Sequence, residues 1–139
     1  MSLRVLCDTN VLVSALIADG PPSWLIEEAI NGRIELVLPD LVLSELGRVL
    51  QMKLGFSEAQ CREASRFLAE LASDRPSAPD RVDPVTGDPA DDAILACAVE
   101  RGVDVVATGD RRHLLPLTEH HGVRLMPPQA VLAELRASE

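Results

Sequence analysis

A chain of 139 residues with 47% hydrophobic content carries enough apolar material for one sizeable core. Its formal net charge of −9, from 13 Lys plus Arg against 22 Asp plus Glu, argues against a generic nucleic-acid binder, because such binding rests on cations neutralising phosphates. No apolar run reaches the roughly 20 residues of a membrane span and no basic-then-apolar signal segment opens the chain, so no membrane association is expected.

The first stretch, Leu3-Arg4-Val5-Leu6-Cys7, is apolar towards both faces and too short for a helix, the pattern of a central parallel strand. Such strands end at the crevice where open α/β sheets bind ligands, and Asp8 stands at that end. A helix is expected over residues 11–18, broken by Asp19-Gly20-Pro21-Pro22, so Asp8 also fits a helix cap. A second helix from Ser23, with Leu25, Ile26, Ala29 and Ile30 inward, closes at Asn31-Gly32. Residues 34–38 read as a second buried strand. Pro39-Asp40 opens a third helix, with Asp40 as its cap and Val42, Leu46, Val49 and Leu50 as its apolar stripe, ending at Gly55. Ser57-Glu58-Ala59-Gln60 fits a capping box for a fourth helix reaching Ala72, antiparallel to the third.

Residues 74–89, with Pro76, Pro79, Pro84 and Pro89, form a connector with room for a short edge strand at 78–82. Asp88-Pro89 begins a fifth helix that Gly102 closes. Residues 103–107 are the third strong strand, followed by Thr108-Gly109-Asp110. A short helix, a turn at His120-His121-Gly122, a strand over 123–126 and a last helix from Pro127-Pro128 complete the chain. Strands alternating with helices predict one α/β layered domain over 1–139 on a mostly parallel sheet. Cys7, Cys61 and Cys97 are odd in number and contain no CxxC pair, so they read as reduced thiols of a cytoplasmic protein.

The chemistry lies in the acids. Asp110 follows its strand as Asp8 follows the first, and carboxyl ends of parallel strands share one edge of a sheet. Asp92 sits near the start of the fifth helix on a stripe otherwise made of Leu95, Ala96 and Val99, where a charge needs a partner or a metal. Glu45 is similarly placed early in the third helix, beside Leu41, Val42, Leu46 and Val49. Helix N-termini gather at the same edge, so Asp8, Glu45, Asp92 and Asp110 can converge. Two like charges 4 Å apart cost about 4 kcal/mol at an effective dielectric of 20, so four carboxylates call for cations. Oxygen donors select Mg²⁺ or Mn²⁺, and such a cluster fits metal-assisted attack of water at phosphorus. Read singly, the same residues are bland: Asp88 and Asp91 suit a cap and a first-turn acid, and His113, His120 and His121 suit surface positions near turns.

Four stretches carry a family resemblance: Leu6-Cys7-Asp8-Thr9-Asn10, Leu43-Ser44-Glu45-Leu46, Asp88-Pro89-Ala90-Asp91-Asp92-Ala93-Ile94-Leu95-Ala96 and Val106-Ala107-Thr108-Gly109-Asp110. In that order and spacing the chain resembles PIN-domain proteins, in particular the toxin-type, VapC-like ribonucleases. The resemblance implies a PIN-like three-layer α/β/α sandwich and a Mg²⁺- or Mn²⁺-dependent endoribonuclease acting on RNA. It also implies a homodimer and a small basic antitoxin as partner. Carried over position by position, Asp8, Glu45, Asp92 and Asp110 are the acidic quartet that would hold the metal, and Asn10 and Thr108 match the polar positions that support it. Asp91 competes for the third place; the spacing to Ile94-Leu95-Ala96 assigns it to Asp92. Arg111 and Arg112 are candidates for holding RNA phosphates, or else belong to a solvated turn.

Three rival readings are distinguishable. An aspartyl-phosphate phosphatase-like domain also places Asp after the first strand, but needs a second nearby acid and a late Lys; here Asn10 follows and the sole lysine is Lys53. A nucleotide-binding Rossmann module lacks both GxGxxG and GKS/T. The non-enzymatic rival is a catalytically silent PIN-fold interaction module, against which an intact quartet argues.

Overall fold

Val5, Leu6 and Cys7 are wholly buried, and the strand they form, β1 (Leu3–Cys7), lies at the centre of the molecule as its two-sided apolarity requires. The computed structural model describes residues 2–138. In chain order β1 is followed by α1 (Thr9–Ile17), α2 (Pro21–Ile30), β2 (Ile34–Val37), α3 (Asp40–Met52), α4 (Glu58–Leu71), α5 (Pro89–Glu100) and β3 (Val105–Ala107). A 3₁₀ turn (Leu115–Leu117), β4 (Glu119–His120), β5 (Val123–Met126) and α6 (Pro128–Ala137) complete it.

The strands make one five-stranded sheet in the order β2-β1-β3-β5-β4. All neighbours pair in parallel except the β4–β5 hairpin. With helices packed on the sheet this is a three-layer α/β/α sandwich, as expected. The chain leaves β1 towards β2 and leaves β3 towards β5, in opposite directions. The gap beyond β1 and β3 is therefore the topological switch point, where open sheets place ligands. Cys7 pairs with Ala107, so Asp8 and Thr108 leave the sheet side by side. One apolar core runs through Leu6, Leu12, Leu36, Leu46, Leu95 and Leu114, each at most 1% exposed. Among the described residues, no helix is long and apolar enough to cross a membrane.

Two sequence expectations are corrected here, and one strand is added. Asp40 does not cap α3: Pro39 occupies the cap, and Asp40 is the first helical residue, its amide bonded to the Pro76 carbonyl at 2.9 Å. No strand forms at 78–82. The chain runs beside β2 earlier, where Ser73 N–H donates to Leu36 and Leu38 N–H to the Asp74 carbonyl, at 2.8 and 2.9 Å. Pro76 and Pro79, which lack an N–H, cannot extend that pairing. The edge is instead β4, hidden in the sequence because two residues carry no periodicity. His121 and Gly122, both at positive φ, form the two-residue hairpin turn that joins it to β5. By contrast the capping box of α4 forms as read, with Ser57 Oγ accepting from Gln60 N–H at 3.1 Å and Gln60 Oε1 accepting from Ser57 N–H at 2.8 Å.

Candidate active site

At the switch point lies a cleft of about 260 Å³ lined by Asp8, Thr9, Asn10, Glu45, Asp88, Ala90, Asp91, Ile94 and Asp110. A larger hollow of about 600 Å³, lined in part by Leu3, Arg33, Asp104 and Glu134, lies at the opposite, amino-terminal edge of the strands. Volume does not select between them; donor chemistry does. Five carboxylates face the smaller cleft, and among its described lining residues there is no Lys or Arg.

Each acid is held by the element that delivers it. Asp8 is only 5% exposed, and its Oδ1 accepts from Val11 N–H at 3.0 Å, so it does cap α1. Its Oδ2 accepts a hydrogen bond from the Thr108 hydroxyl, which is wholly buried. The same Thr108 oxygen accepts from Asp110 N–H at 3.0 Å. One hydroxyl thus ties together the acids that follow β1 and β3. Asp110 Oδ1 accepts from Arg112 N–H at 2.9 Å and His113 N–H at 3.2 Å. Asp88 caps α5, its Oδ1 accepting from Ala90 and Asp91 N–H at 2.9 and 3.1 Å. Glu45 reaches the cleft from the second turn of α3.

The protonation equilibria record the crowding. Burial pushes the Asp8 carboxyl up, against the pull of Thr108 and Val11, and the charges of Asp110 and Glu45 push it further. Asp91 is raised to about 6 by burial, then by Asp88 and Asp110. Burial also opposes ionisation of Asp110, yet the amides of Arg112 and His113 bring its carboxyl below the usual range.

The helix phase separates two neighbouring acids. Asp91 faces the cleft, but Asp92 does not. Asp92 is 6% exposed, and its Oδ1 accepts from Val85 N–H at 3.1 Å and from both Thr86 N–H and Thr86 Oγ1 at 2.8 Å. Those bonds, Thr86 N–H first, lower its pKa despite burial. It anchors the connector to α5 and borders a separate hollow with Val85, Leu95 and Ala96. Of the four acids singled out by sequence, Asp8, Glu45 and Asp110 therefore come together and Asp92 stays apart. The apolar stripe that pointed to Asp92 is real, but its partner is the connector backbone. Asn10 lines the cleft from an exposed position, and Thr108 sits beneath it.

A family model described as PIN domain matches residues 4–112, most of the chain. The chain belongs to the PIN-domain family. Among solved structures, this PIN domain is similar to PAE2754 from Pyrobaculum aerophilum, with a TM-score of 0.58 and 20% identity, covering 99% of this chain and 98% of that one. It is also similar to VapC20, a sarcin-ricin loop cleaving toxin of Mycobacterium tuberculosis. That likeness has a TM-score of 0.56 and 13% identity, covering 76% of this chain and 89% of the toxin. At these identities both establish the fold and no more. No curated protein matches.

Of this PIN-domain cleft, the sequence pattern left out Asp88 and His113 and placed Asp91 second to Asp92 for the third acid. Asp88 and Asp91 read as cap and first-turn acid, which they are, but the start of α5 points into the cleft, so both also line it. His113 read as a surface residue near a turn. Its Nδ1 lies 3.1 Å from Asp91 Oδ2 and 3.6 Å from Asp110 Oδ2. Its place three residues beyond Asp110 was the available signal.

Proposed function

We propose that this PIN-domain protein is a Mg²⁺- or Mn²⁺-dependent endoribonuclease, working as the toxin of a toxin–antitoxin pair. The observation that carries the reading is the convergence of Asp8, Glu45, Asp91 and Asp110 on one cleft at the sheet's switch point. The donor set fits a hard divalent cation. It is rich in carboxylate oxygens, and after burial the neighbouring charges of Asp110 and Glu45 on Asp8, and of Asp88 and Asp110 on Asp91, push both carboxyls up. Asp8, Asp91 and Asp110 are assigned to hold the cation and Glu45 to complete the site or orient water, so Asp91 takes the place that spacing gave to Asp92. A divalent cation bound there supplies the Lewis acidity that activates water and neutralises phosphate charge.

The protein's own contribution is positioning. Thr108 fixes the Asp8 carboxylate and the Asp110 backbone, the amides of Arg112 and His113 hold the Asp110 carboxylate, and Asn10 lines the rim beside them. Arg111 and Arg112 are exposed directly after Asp110, suited to holding phosphates on either side of the scissile bond. With a net charge of −9 the surface attracts RNA weakly, so cleavage depends on the cation and these local contacts. We take residues 1–139 as one cytoplasmic PIN domain that pairs as a homodimer. The test uses chelator-stripped protein and a structured RNA. Fragments should appear on adding Mn²⁺, disappear with excess chelator, and be absent with folded Asp8→Asn. Cleavage without metal, or at the wild-type rate in that variant, would refute the assignment.

The same acidity suits a small basic antitoxin, with an Arg entering the cleft to pair bidentately with carboxylates. Co-purified partner should suppress cleavage and weaken Mn²⁺ binding in titration calorimetry. Full activity in the saturated complex would rule out inhibition through the acids.

A further inference from the structure

The acid cluster contains one nitrogen donor. His113 Nδ1 stands 3.1 Å from Asp91 Oδ2 and 3.6 Å from Asp110 Oδ2, and its ring is about one-third exposed. The loop that carries it is fixed from both ends. Asp110 Oδ1 accepts the His113 amide at 3.2 Å, Leu115 N–H donates to the Asp110 carbonyl at 2.9 Å, and Leu114 is wholly buried. Single donor atoms of Asp88, Asp91 and His113 all lie within 4.8 Å of one another. Oxygen and nitrogen ligands sit about 2.0–2.2 Å from small divalent ions, so ligands on opposite sides of one ion are roughly 4 Å apart. These three side chains can therefore meet at one ion with small rotamer adjustments.

We propose that His113 is the specificity-determining ligand of this centre, giving it a mixed oxygen–nitrogen character that favours Mn²⁺ and later transition ions over Mg²⁺. The proposal rests on the acid cleft being a divalent-cation site, and adds to that reading which ion it prefers and why. Mg²⁺ takes oxygen ligands and gives up its waters reluctantly, whereas imidazole suits transition metals, whose affinities rise from Mn²⁺ towards Cu²⁺. A ring already placed against Asp91 and Asp110 would deliver that nitrogen with little reorganisation.

The experiment is metal binding, read independently of RNA cleavage. Chelator-stripped wild type and His113→Gln, each checked for folding by circular dichroism, are titrated with Mn²⁺ and with Mg²⁺ by calorimetry. The Mn²⁺-loaded wild type is then examined by electron spin-echo envelope modulation, which detects a directly bound ¹⁴N. Wild type should show ¹⁴N modulation and a preference for Mn²⁺. In His113→Gln the modulation should vanish and the Mn²⁺/Mg²⁺ affinity ratio should fall about tenfold, the scale on which one group near a metal acts. Mn²⁺ binding without ¹⁴N modulation in the wild type overturns the role of His113 and leaves the acid site standing. An unchanged affinity ratio in the variant does the same. Failure of both ions to bind folded wild type overturns the acid site itself, and His113's role with it.

Discussion

Asn in place of Asp91 should lower metal-stimulated RNA cleavage on the order of a hundredfold or more, the scale of losing a group that stabilises developing charge. The fold should survive, because Asp91 is held by no contact that only a carboxylate can make. At neutral pH the metal-free variant should melt higher than wild type, since one of several crowded carboxylates has been removed. Asn in place of the adjacent Asp92 should behave in the opposite way. Its carboxylate accepts three hydrogen bonds from Val85 and Thr86, and charged acceptors make such bonds strong. Neutralising it should cost about 1–3 kcal/mol of stability and leave cleavage by the folded fraction near wild type. Denaturant melts paired with cleavage assays on the two variants read both effects. If Asp92→Asn is the inactive variant while Asp91→Asn cleaves normally, the roles have been exchanged and the third acid is Asp92.

Stripped of metal, the protein should be less stable at pH 7.5 than at pH 5, with Mn²⁺ restoring it. The sign follows from the acids. Asp91 is raised from 3.8 to about 6 in the folded chain, by burial first and then by Asp88 and Asp110. A group raised in this way stabilises the fold below its unfolded value, and that contribution is lost as pH passes through about 6. Asp8 is shifted in the same direction. Asp74, Asp92, Asp110 and Glu134 are shifted down, so their contributions are present above their ordinary values and vanish on acidification. The two sets leave a maximum between them. Mn²⁺ at a hundred times its Kd adds about 2.7 kcal/mol, and for a chain of this size that raises Tm by roughly 10 °C. The increment should be larger at pH 7.5 than at pH 5, because protons compete for the same oxygens. Thermal melts at the two pH values, with and without Mn²⁺, decide it. A metal-free Tm that climbs steadily from pH 5 to 7.5, or a larger Mn²⁺ shift at pH 5, would show that the acids are not crowded as described.

The sequence by itself determined the alternation of strands and helices, because core strands apolar on both faces and helices with marked caps are local patterns. It placed β1, β2, β5 and the capped starts of α4 and α5 to within a residue or two. It also identified Asp8 and Asp110 as neighbours, since parallel strands must end at one edge, and Glu45 as facing them. Tertiary structure decided what local pattern leaves open. Asp91 and Asp92 are adjacent, both acidic and both in the first turn of α5, and a helix turns about 100° per residue. Which of them faces the cleft depends on how α5 is rotated against the sheet and on what the connector offers. Thr86 and Val85 present three donors to Asp92, and Asp91 is left facing Asp110 and His113. His113 likewise became part of the site only when the loop after β3 folded back over the start of α5, anchored by the burial of Leu114. Strand pairing and helix phase set these positions, and both are long-range properties that no stretch of the chain carries alone.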